Sequence, residues 1–371
     1  MEYRKLGRTG LEVSAIGLGT EYTRGQPIET VSALLEAAID RGINYIDVIF
    51  TMPEFLDHLT PVLRRRRDEV FLTGHLGSHH KDGQYAKTRS MKLTQEIWAD
   101  MLRRLGTDRV DVLFLHNCDG EADWAELTKP GGQMELAARY KAEGQARFIG
   151  FSGHTVETAR QALALDMVDV LMFPINLSGN AVPGKRELLA ECAARQVGVV
   201  AMKPFGGGKL LREERTVTIS HNQVGGDTLT LAKKQPITPV HCLAYVLAQP
   251  GLSTVVPGCK DVAELEAALS YLSASEAGRD FAPALADFAQ YREGECVYCN
   301  HCWPCPAGID IGQVMRLLDE GRSGSLAAAR TAYAALEADG ADCQECGACV
   351  ERCPFGAYPM AGMAQAAELL G

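Results

Sequence analysis

Over most of the chain, short apolar runs alternate with longer amphipathic segments. The apolar runs are "SAIGLGT", "NYIDVIF", "VFLTGHL", "VDVLFLHN", "ARFIGFSGH", "VDVLMFPIN", "GVVAMKPF" and "LSTVVPG". They are apolar almost throughout rather than at every second residue. That is the pattern of parallel strands buried on both faces. Between them, "TVSALLEAAIDRG", "TQEIWADMLRRLG", "QMELAARYKAEG" and "TVETARQALAL" place apolar residues three and four apart, the period of a helix with one buried face. Eight strand–helix repeats over about 260 residues predict an α/β fold, the (β/α)8 or TIM barrel, whose chemistry gathers at the C-terminal ends of its strands. A doubly wound sheet is the competing arrangement. It normally shows a G-x-G-x-x-G turn after its first strand, and "GLGTEY" is not one.

The pattern changes after the helix-like stretch "APALADFAQYREG". Two cysteine-rich motifs follow, separated by "IGQVMRLLDEG" and "SLAAARTAYAALEAD", both of helical period and broken by Gly321 and Gly324. We therefore expect a barrel over residues 1–292 and a small ferredoxin-like domain, alpha-helical between its motifs, over residues 293–371.

The sulfur chemistry of that second part is specific. Of twelve cysteines, Cys118, Cys192, Cys242 and Cys259 are scattered, and their apolar surroundings predict plain buried thiols. The others form two runs. Cys343, Cys346, Cys349 and Cys353, followed by Pro354, match C-x2-C-x2-C-x3-C-P, the bacterial ferredoxin spacing. Cys296, Cys299, Cys302 and Cys305, followed by Pro306, are one residue tighter in the last gap. In two-cluster ferredoxins the fourth cysteine of each run ligates the other cluster. The motifs thus predict two [4Fe-4S] clusters, one on Cys296, Cys299, Cys302 and Cys353, the other on Cys343, Cys346, Cys349 and Cys305. Zinc rarely uses triple C-x2-C-x2-C runs, and disulfides suit small exported chains.

Composition narrows the partners. The 371 residues carry a net charge of −10, which disfavours a broad nucleic-acid surface. The one basic run, Arg64 to Arg67, reads as a helix C-terminus. No stretch approaches the roughly 18–20 apolar residues of a membrane span, and "MEYRKLGRTG" lacks the apolar core of an export signal. These features predict a cytoplasmic protein acting on a small molecule, without nucleic-acid or membrane partners.

The predicted strand ends are polar in a consistent way. Asp47, His75, His116, Asn117, Ser152, His154, Asn176 and Lys203 each close an apolar run, so they should converge on one mouth. A metal held by His75, His116 and His154 is a further arrangement that such a cluster allows.

Several stretches carry a family resemblance. "YRKLGRTGLEVSAIGLGT", "GINYIDV", "LRRLGTDRVDVLFLHN", "GQARFIGFSGH" and "STVVPGCKDVAELEAAL" resemble the aldo-keto reductases, and "YCNHCWPCP" and "CGACVERCPF" resemble the C-terminus of the iron-sulfur branch of that superfamily. The resemblance implies a (β/α)8 barrel, a nicotinamide dinucleotide bound without a Rossmann fold, and hydride transfer to a carbonyl. It also implies a catalytic Asp, Tyr, Lys and His. Asp47 and His116 match two of these. Met52 stands at the tyrosine position and His75 at the lysine position. A thioether has no proton to give, and a general acid is worth roughly 10²- to 10⁴-fold. His75 is the leading replacement, since imidazole titrates near neutrality and an Asp47 neighbour favours its donating form; Tyr85, in the loop after the third strand, is the second candidate.

For the dinucleotide, the resemblance places Ser152 and Asn176 at the nicotinamide amide and Met202 where an aromatic ring usually stacks. Lys203 is suited to an anionic group. Gly206 and Gly207, in "PFGGG", would admit a pyrophosphate. Gly258 and Lys260, in "VPGCKDVAE", resemble the stretch that binds the adenosine 2′-phosphate, although Glu264 stands where an arginine is common. The cofactor set expected is therefore two [4Fe-4S] clusters with NAD(P)H or a flavin, and a redox partner such as ferredoxin or flavodoxin. A cluster passes one electron and a nicotinamide two together, so a flavin or a radical-tolerant substrate would link them. The expected activity is an iron-sulfur-dependent oxidoreductase; a carbonyl reductase with structural clusters and a non-catalytic electron-transfer protein are the alternatives. The polar stretch from Arg212 to Thr238 is expected to be a lid, a binding segment or disordered chain.

Overall fold

The computed structural model describes residues 1–177, 184–212, 216–220, 228–232, 236–249, 251–281, 296, 302–322, 326–353 and 357–371. The chain divides into two compact units. The first comprises Met1–His79, Lys87–Phe205 and Thr238–Phe281; the second comprises His80–Ala86, Gly206–Ile237 and Ala282–Gly371.

The first unit opens with an antiparallel hairpin, β1 (Tyr3–Lys5) and β2 (Glu12–Ser14). The strands that follow are β3 (Leu18–Gly19), β4 (Tyr45–Asp47), β5 (Phe71–Leu76), then, after the short pair β6 (Ser78–Lys81) and β7 (Gln84–Lys87), β8 (Val110–Leu115), β9 (Ala146–Ser152), β10 (Val170–Pro174) and β11 (Gly198–Met202). After β12 (Thr216–Ser220) and β13 (Thr228–Ala232), β14 (Leu252–Val256) completes the set. The order β3-β4-β5-β8-β9-β10-β11-β14 follows the chain, and neighbouring strands run parallel. Parallel bridges Ile16↔Val255 and Gly19↔Gly258 join the last strand back to the first, with Gly17 N donating to Val255 O at 2.8 Å. Each of the eight apolar runs supplies one strand of this parallel eight-stranded barrel.

Helices follow the strands: α1 (Ile28–Asp40), α2 (Pro53–Arg65), α3 (Met91–Leu105), α4 (Glu121–Thr128), α5 (Gln133–Ala142), α6 (Val156–Leu163), α7 (Lys185–Ala194), α8 (Pro239–Leu247) and α9 (Val262–Leu269). Their starts are set locally. Ser90, Thr155, Thr238 and Asp261 cap α3, α6, α8 and α9 by accepting from backbone amides three residues on. The basic run does close α2, where Arg66 reaches Glu36, Asp40 and Glu69 and Arg67 reaches Asp111.

Inward residues spaced by two, such as Val112 and Phe114 or Val170 and Met172, fill the barrel with Tyr45 and Val200. Leu6, Leu11 and Val13 of the N-terminal hairpin pack against the same core and plug one end. That plug depends on Gly7, at φ +50°, where a Cβ would fall 2.2 Å from Gly198 N.

In the second unit, α10 (Ile311–Arg322), α11 (Leu326–Tyr333), α12 (Ala348–Glu351) and α13 (Pro359–Leu370) enclose a small core of Val314, Leu318, Ala329, Tyr333, Met363 and Ala366. The two helices expected between the cysteine motifs are present as α10 and α11. Gly340 N donates to Tyr333 Oη at 2.7 Å and fixes the approach to the second motif. Within the stretch from Arg212 to Thr238, β12 and β13 pair antiparallel from Thr216↔Ala232 to Ser220↔Thr228. The expected helix at residues 282–294 lies outside the described residues. Among the described residues, no helix is long and apolar enough to cross a membrane.

Candidate functional site

Three neighbouring strand ends of the barrel bring three titratable side chains into line. β5 and β8 pair with His75 opposite Phe114 and Leu76 opposite Leu115, so His116 falls just past the last ladder pair, beside His75. His75 Nε2 lies 2.9 Å from Asp47 Oδ1, and its Nδ1 lies 3.1 Å from His116 Nδ1. Thr73 donates to the same Asp47 oxygen at 2.6 Å. Phe114 stacks on His75 with centroids 5.1 Å apart. Asp47, His75 and His116 are all buried. The pairing of His75 with Asp47 that the sequence suggested is therefore present.

A second chain of charges stands at the next strand ends. His154 Nδ1 is 2.8 Å from Asp119 Oδ2, and Lys203 Nζ is 3.0 Å from His154 Nε2. Burial pushes His154 below its ordinary value, with Lys203 adding to the effect and Asp119 opposing it. Burial alone would raise Asp119, but its contacts with His154, two of them hydrogen bonds, and the charge of Lys87 hold it low. The self-consistent arrangement is a neutral imidazole that donates to the carboxylate and accepts from the ammonium. With an ammonium on Nε2, His154 is no ligand for a cation. The three histidines thus divide between two groups, and among the described residues no set of three His, Cys, Asp or Glu surrounds a single-ion position.

Two non-glycine residues at this mouth are left-handed, Asn117 at φ +43° and Lys203 at φ +57°. Such conformations persist only where the surroundings impose them. Around Asn117 the imposing groups are cations: Arg89 Nη2 donates to His116 O at 2.9 Å, and Lys87 Nζ donates to Asn117 O at 3.1 Å. Asn117 Oδ1 is buried with no hydrogen-bond partner, an acceptor open to a donor that the protein does not supply. Asn176 Nδ2 donates to Lys203 O at 3.0 Å, and Ser152 is buried at the end of β9. Met202 is partly buried and packs on the barrel core. Met52 is buried just ahead of α2.

Sequence reasoning missed Glu21. It follows β3, and its carboxylate occupies space that only glycine leaves at Gly19 and Gly258, where a Cβ would lie 2.7 and 2.6 Å from its oxygens. Burial pushes the Glu21 carboxyl up to about 7; Asp47 adds to this, while its own backbone hydrogen bond and Lys203 oppose it. Tyr22 packs on Gly258, whose Cβ would fall 2.4 Å from the ring. Nothing in "TEYTRG" marks these residues except their place after the first strand. Asp119 and Arg89 were missed for the same reason, being polar residues in loops. Lys260 pairs with Glu264, Nζ to Oε1 at 3.1 Å, and its backbone N also donates to Glu264 at 3.0 Å.

In the second unit, Gly206, Gly207 and Gly208 are all left-handed. Tyr85 is buried there, with its amide donating to Trp303 O at 3.2 Å. Cys305 of the first motif and Cys343, Cys346 and Cys349 of the second line one cavity. Separately, Cys296 and Cys353 pack together against Ala357 and Met315. Cys305 thus lies with three cysteines of the second motif, and Cys302 packs in the same core as Cys305, Cys343 and Cys349. Cys299 lies outside the described residues. The scattered cysteines are buried, and burial pushes the thiols of Cys118 and Cys192 up to about 12 and that of Cys259 higher still. They are inert packing groups.

Comparison with known proteins places these features. The model of the aldo/keto reductase family matches residues 15–282, ending ahead of the first cysteine motif. An uncharacterized oxidoreductase, YqkF, of Bacillus subtilis is 25% identical over 282 residues, covering 71% of this chain and 89% of its own. A solved structure of a candidate aldo-keto reductase from Pseudomonas aeruginosa is 28% identical, with a TM-score of 0.57 over 73% of this chain and 95% of that one. The holo form of aldo-keto reductase AKR11C1 from Bacillus halodurans shares the fold at 21% identity, with a TM-score of 0.62 over 78% and 97% of the two chains.

Proposed function

The chain belongs to the aldo/keto reductase family and is an oxidoreductase, and from that premise we propose an iron–sulfur enzyme that converts a small carbonyl or alcohol at the barrel mouth. Its C-terminal unit would hold two [4Fe-4S] clusters, each passing one electron at a time to or from a flavin or a substrate that tolerates a radical. The observation that carries this reading is the cavity lined by Cys305, Cys343, Cys346 and Cys349, which draws its thiols from both motifs. Four thiolates that hold a cluster of four irons would be farther apart than the ligands of one ion, and a cavity rather than a tight ligand knot would suit such a group. The small core that Cys353 shares with Cys296 supports the complementary set, Cys296, Cys299, Cys302 and Cys353. Bound there, the clusters supply one-electron transfer.

The nicotinamide half is supported by the family and by the mouth itself. Ser152 and Asn176 are buried at strand ends, and the orphaned Asn117 Oδ1 is an acceptor suited to an amide N–H. The residues near Lys260 do not suit a 2′-phosphate, because Lys260 is tied to Glu264. NADH fits the site better than NADPH. Bound there, a nicotinamide would supply a hydride to a carbonyl carbon.

The carbonyl oxygen then needs a proton, and the chain's own groups can deliver it. With Asp47 ionised, His75 Nε2 carries the hydrogen that lies toward Asp47 Oδ1. Both ring nitrogens of His75 face protein groups, so His75 works through His116. A proton held at His116 Nε2 makes that ring cationic, and the charge passes across His75 to Asp47. Giving this proton to the oxygen leaves two neutral rings and a carboxylate.

The second reading, a nicotinamide-dependent carbonyl reductase with structural clusters, is favoured by the same Asp47–His75–His116 chain. One experiment separates the two: anaerobic titration of the reconstituted protein with NADH, followed by electron paramagnetic resonance. Reduced-cluster signals that grow with NADH support electron exchange. Carbonyl reduction without them supports structural clusters. A protein that takes up no iron would sink the cluster assignment altogether.

A further inference from the structure

The four-cysteine cavity contains one charged side chain. Its lining is otherwise apolar or neutral apart from the thiols, and the exception is Arg352, in the gap between Cys349 and Cys353. Arg352 Nε donates to Ala348 O at 2.7 Å, within the second motif, and Nη1 reaches Pro304 O at 3.5 Å, within the first. The guanidinium is thus held from two sides. Its Nη2 is buried and has no hydrogen-bond partner. A buried charged donor left unpaired is costly, and the local structure holds it in place rather than releasing it to solvent.

We propose that Arg352 Nη2 donates to a sulfur of the cluster held by Cys305, Cys343, Cys346 and Cys349, and so raises that cluster's reduction potential. This rests on the cluster reading above. A thiolate-ligated cubane is negatively charged, and reduction adds one further negative charge. An apolar lining disfavours that change; a cation and an N–H···S bond at the wall favour it, since charge and hydrogen bonds to sulfur are what set cluster potentials. The two clusters would then be unequal, and an electron would settle first on the one beside Arg352. Arg352 is a tuning residue here, not a ligand.

The test uses the full-length protein, reconstituted anaerobically, with Arg352→Gln and Arg352→Lys. The wild type should show two potentials in a titration monitored by electron paramagnetic resonance. In Arg352→Gln, with iron content unchanged, one potential should move downward and the other should stay. Arg352→Lys, which keeps the charge but not the fork, should recover part of the shift. Unchanged potentials in a fully loaded Arg352→Gln protein would overturn the proposal. Because a variant can fail to load, the wild type labelled with ¹⁵N-arginine provides an independent measurement. A weak ¹⁵N coupling at the reduced cluster, absent in Arg352→Lys, is expected, and its absence in the wild type overturns the proposal. A wild type that binds no iron removes the cluster reading itself, a result distinct from loaded clusters with unaltered potentials.

Discussion

His75 Nε2 sits 2.9 Å from Asp47 Oδ1, with both side chains almost wholly withdrawn from solvent. Where the family resemblance implies a lysine paired with this aspartate, the chain substitutes an imidazole, whose Nδ1 carries the contact on to His116 and, unlike an ammonium, can accept a hydrogen bond. The pair is thus a link in a chain and not an end point. That difference sets the expected ranking of variants. His116→Ala should lower kcat for carbonyl reduction by about 10²- to 10⁴-fold, the usual worth of a general acid. His75→Gln, which keeps hydrogen-bonding groups at both ends, should lose about tenfold with little change in KM. Steady-state kinetics on both variants decide; equal losses, or a larger loss in His75→Gln, would place the donor at His75.

Glu21 gives the pH dependence of stability a definite sign. Its carboxyl is raised to about 7 by burial, whereas in the unfolded chain it titrates at about 4.3. Between these values the folded state binds more protons than the unfolded one, so this group makes stability fall as pH rises from about 4.5 to 7. His154 works the other way. Its lowered value means that the folded state holds it neutral, a contribution present above the unfolded value and lost as pH falls. Glu21→Gln removes the first effect alone. It should stabilise the protein at pH 8 by about 1–2 kcal/mol, allowing for partial exposure, and change little at pH 4.5. Urea unfolding at the two pH values is the measurement, and an equal effect at both would refute the role of ionisation.

Much of the barrel is legible in the sequence because each of its strands is buried on both faces, which leaves an apolar run with a polar residue at its end. Asp47, His75 and His116 could be placed that way. What cannot be read is which strand ends touch. His154 looks equivalent to His75 and His116 along the chain, yet it turns to Asp119 and Lys203. Glu21 is invisible for a related reason. Its environment is made by two glycines far apart in sequence, Gly19 and Gly258, whose missing side chains leave room for a carboxylate. The expectation that the cysteine motifs cross rests on a known spacing. The unpaired nitrogen of Arg352 was not legible, since it depends on the carbonyls of Ala348 and Pro304, which hold the guanidinium in place.

Cofactor preference follows from a surface ion pair. Lys260 is the one cation in the stretch from Gly258 to Glu264, and Glu264 engages it by both backbone and side chain. Asp261, capping α9, adds a second negative charge. A 2′-phosphate arriving there would meet net repulsion. NADH should therefore bind more tightly than NADPH, and Glu264→Arg should reverse or narrow the preference by about tenfold, the equivalent of one charge-assisted hydrogen bond to phosphate. Fluorescence titration with each dinucleotide measures this directly. Equal affinities in the wild type would count against the reading.

Crossed ligation can be separated from sequential ligation without a crystal, by counting iron in paired variants. If each motif bound its own cluster, Cys305 would share a cluster with Cys302, and Cys353 with Cys349. One cavity is lined by Cys305, Cys343, Cys346 and Cys349, and a small core holds Cys296 and Cys353, while Cys302 packs in the same core as Cys305, Cys343 and Cys349; ligation therefore has to be read from the metal. With crossed ligation, Cys305→Ser and Cys343→Ser should damage the same cluster, so the double variant should retain about four iron atoms per chain, as each single variant does. Cys353→Ser with Cys343→Ser should damage both clusters and bring the iron content toward zero. Sequential ligation predicts the reverse: near-total loss in the Cys305/Cys343 pair and about half retained in the Cys353/Cys343 pair. Because the two schemes exchange which double variant is additive, iron and sulfide content alone distinguishes them, and a general loss of folding would show as loss in all four proteins rather than in one.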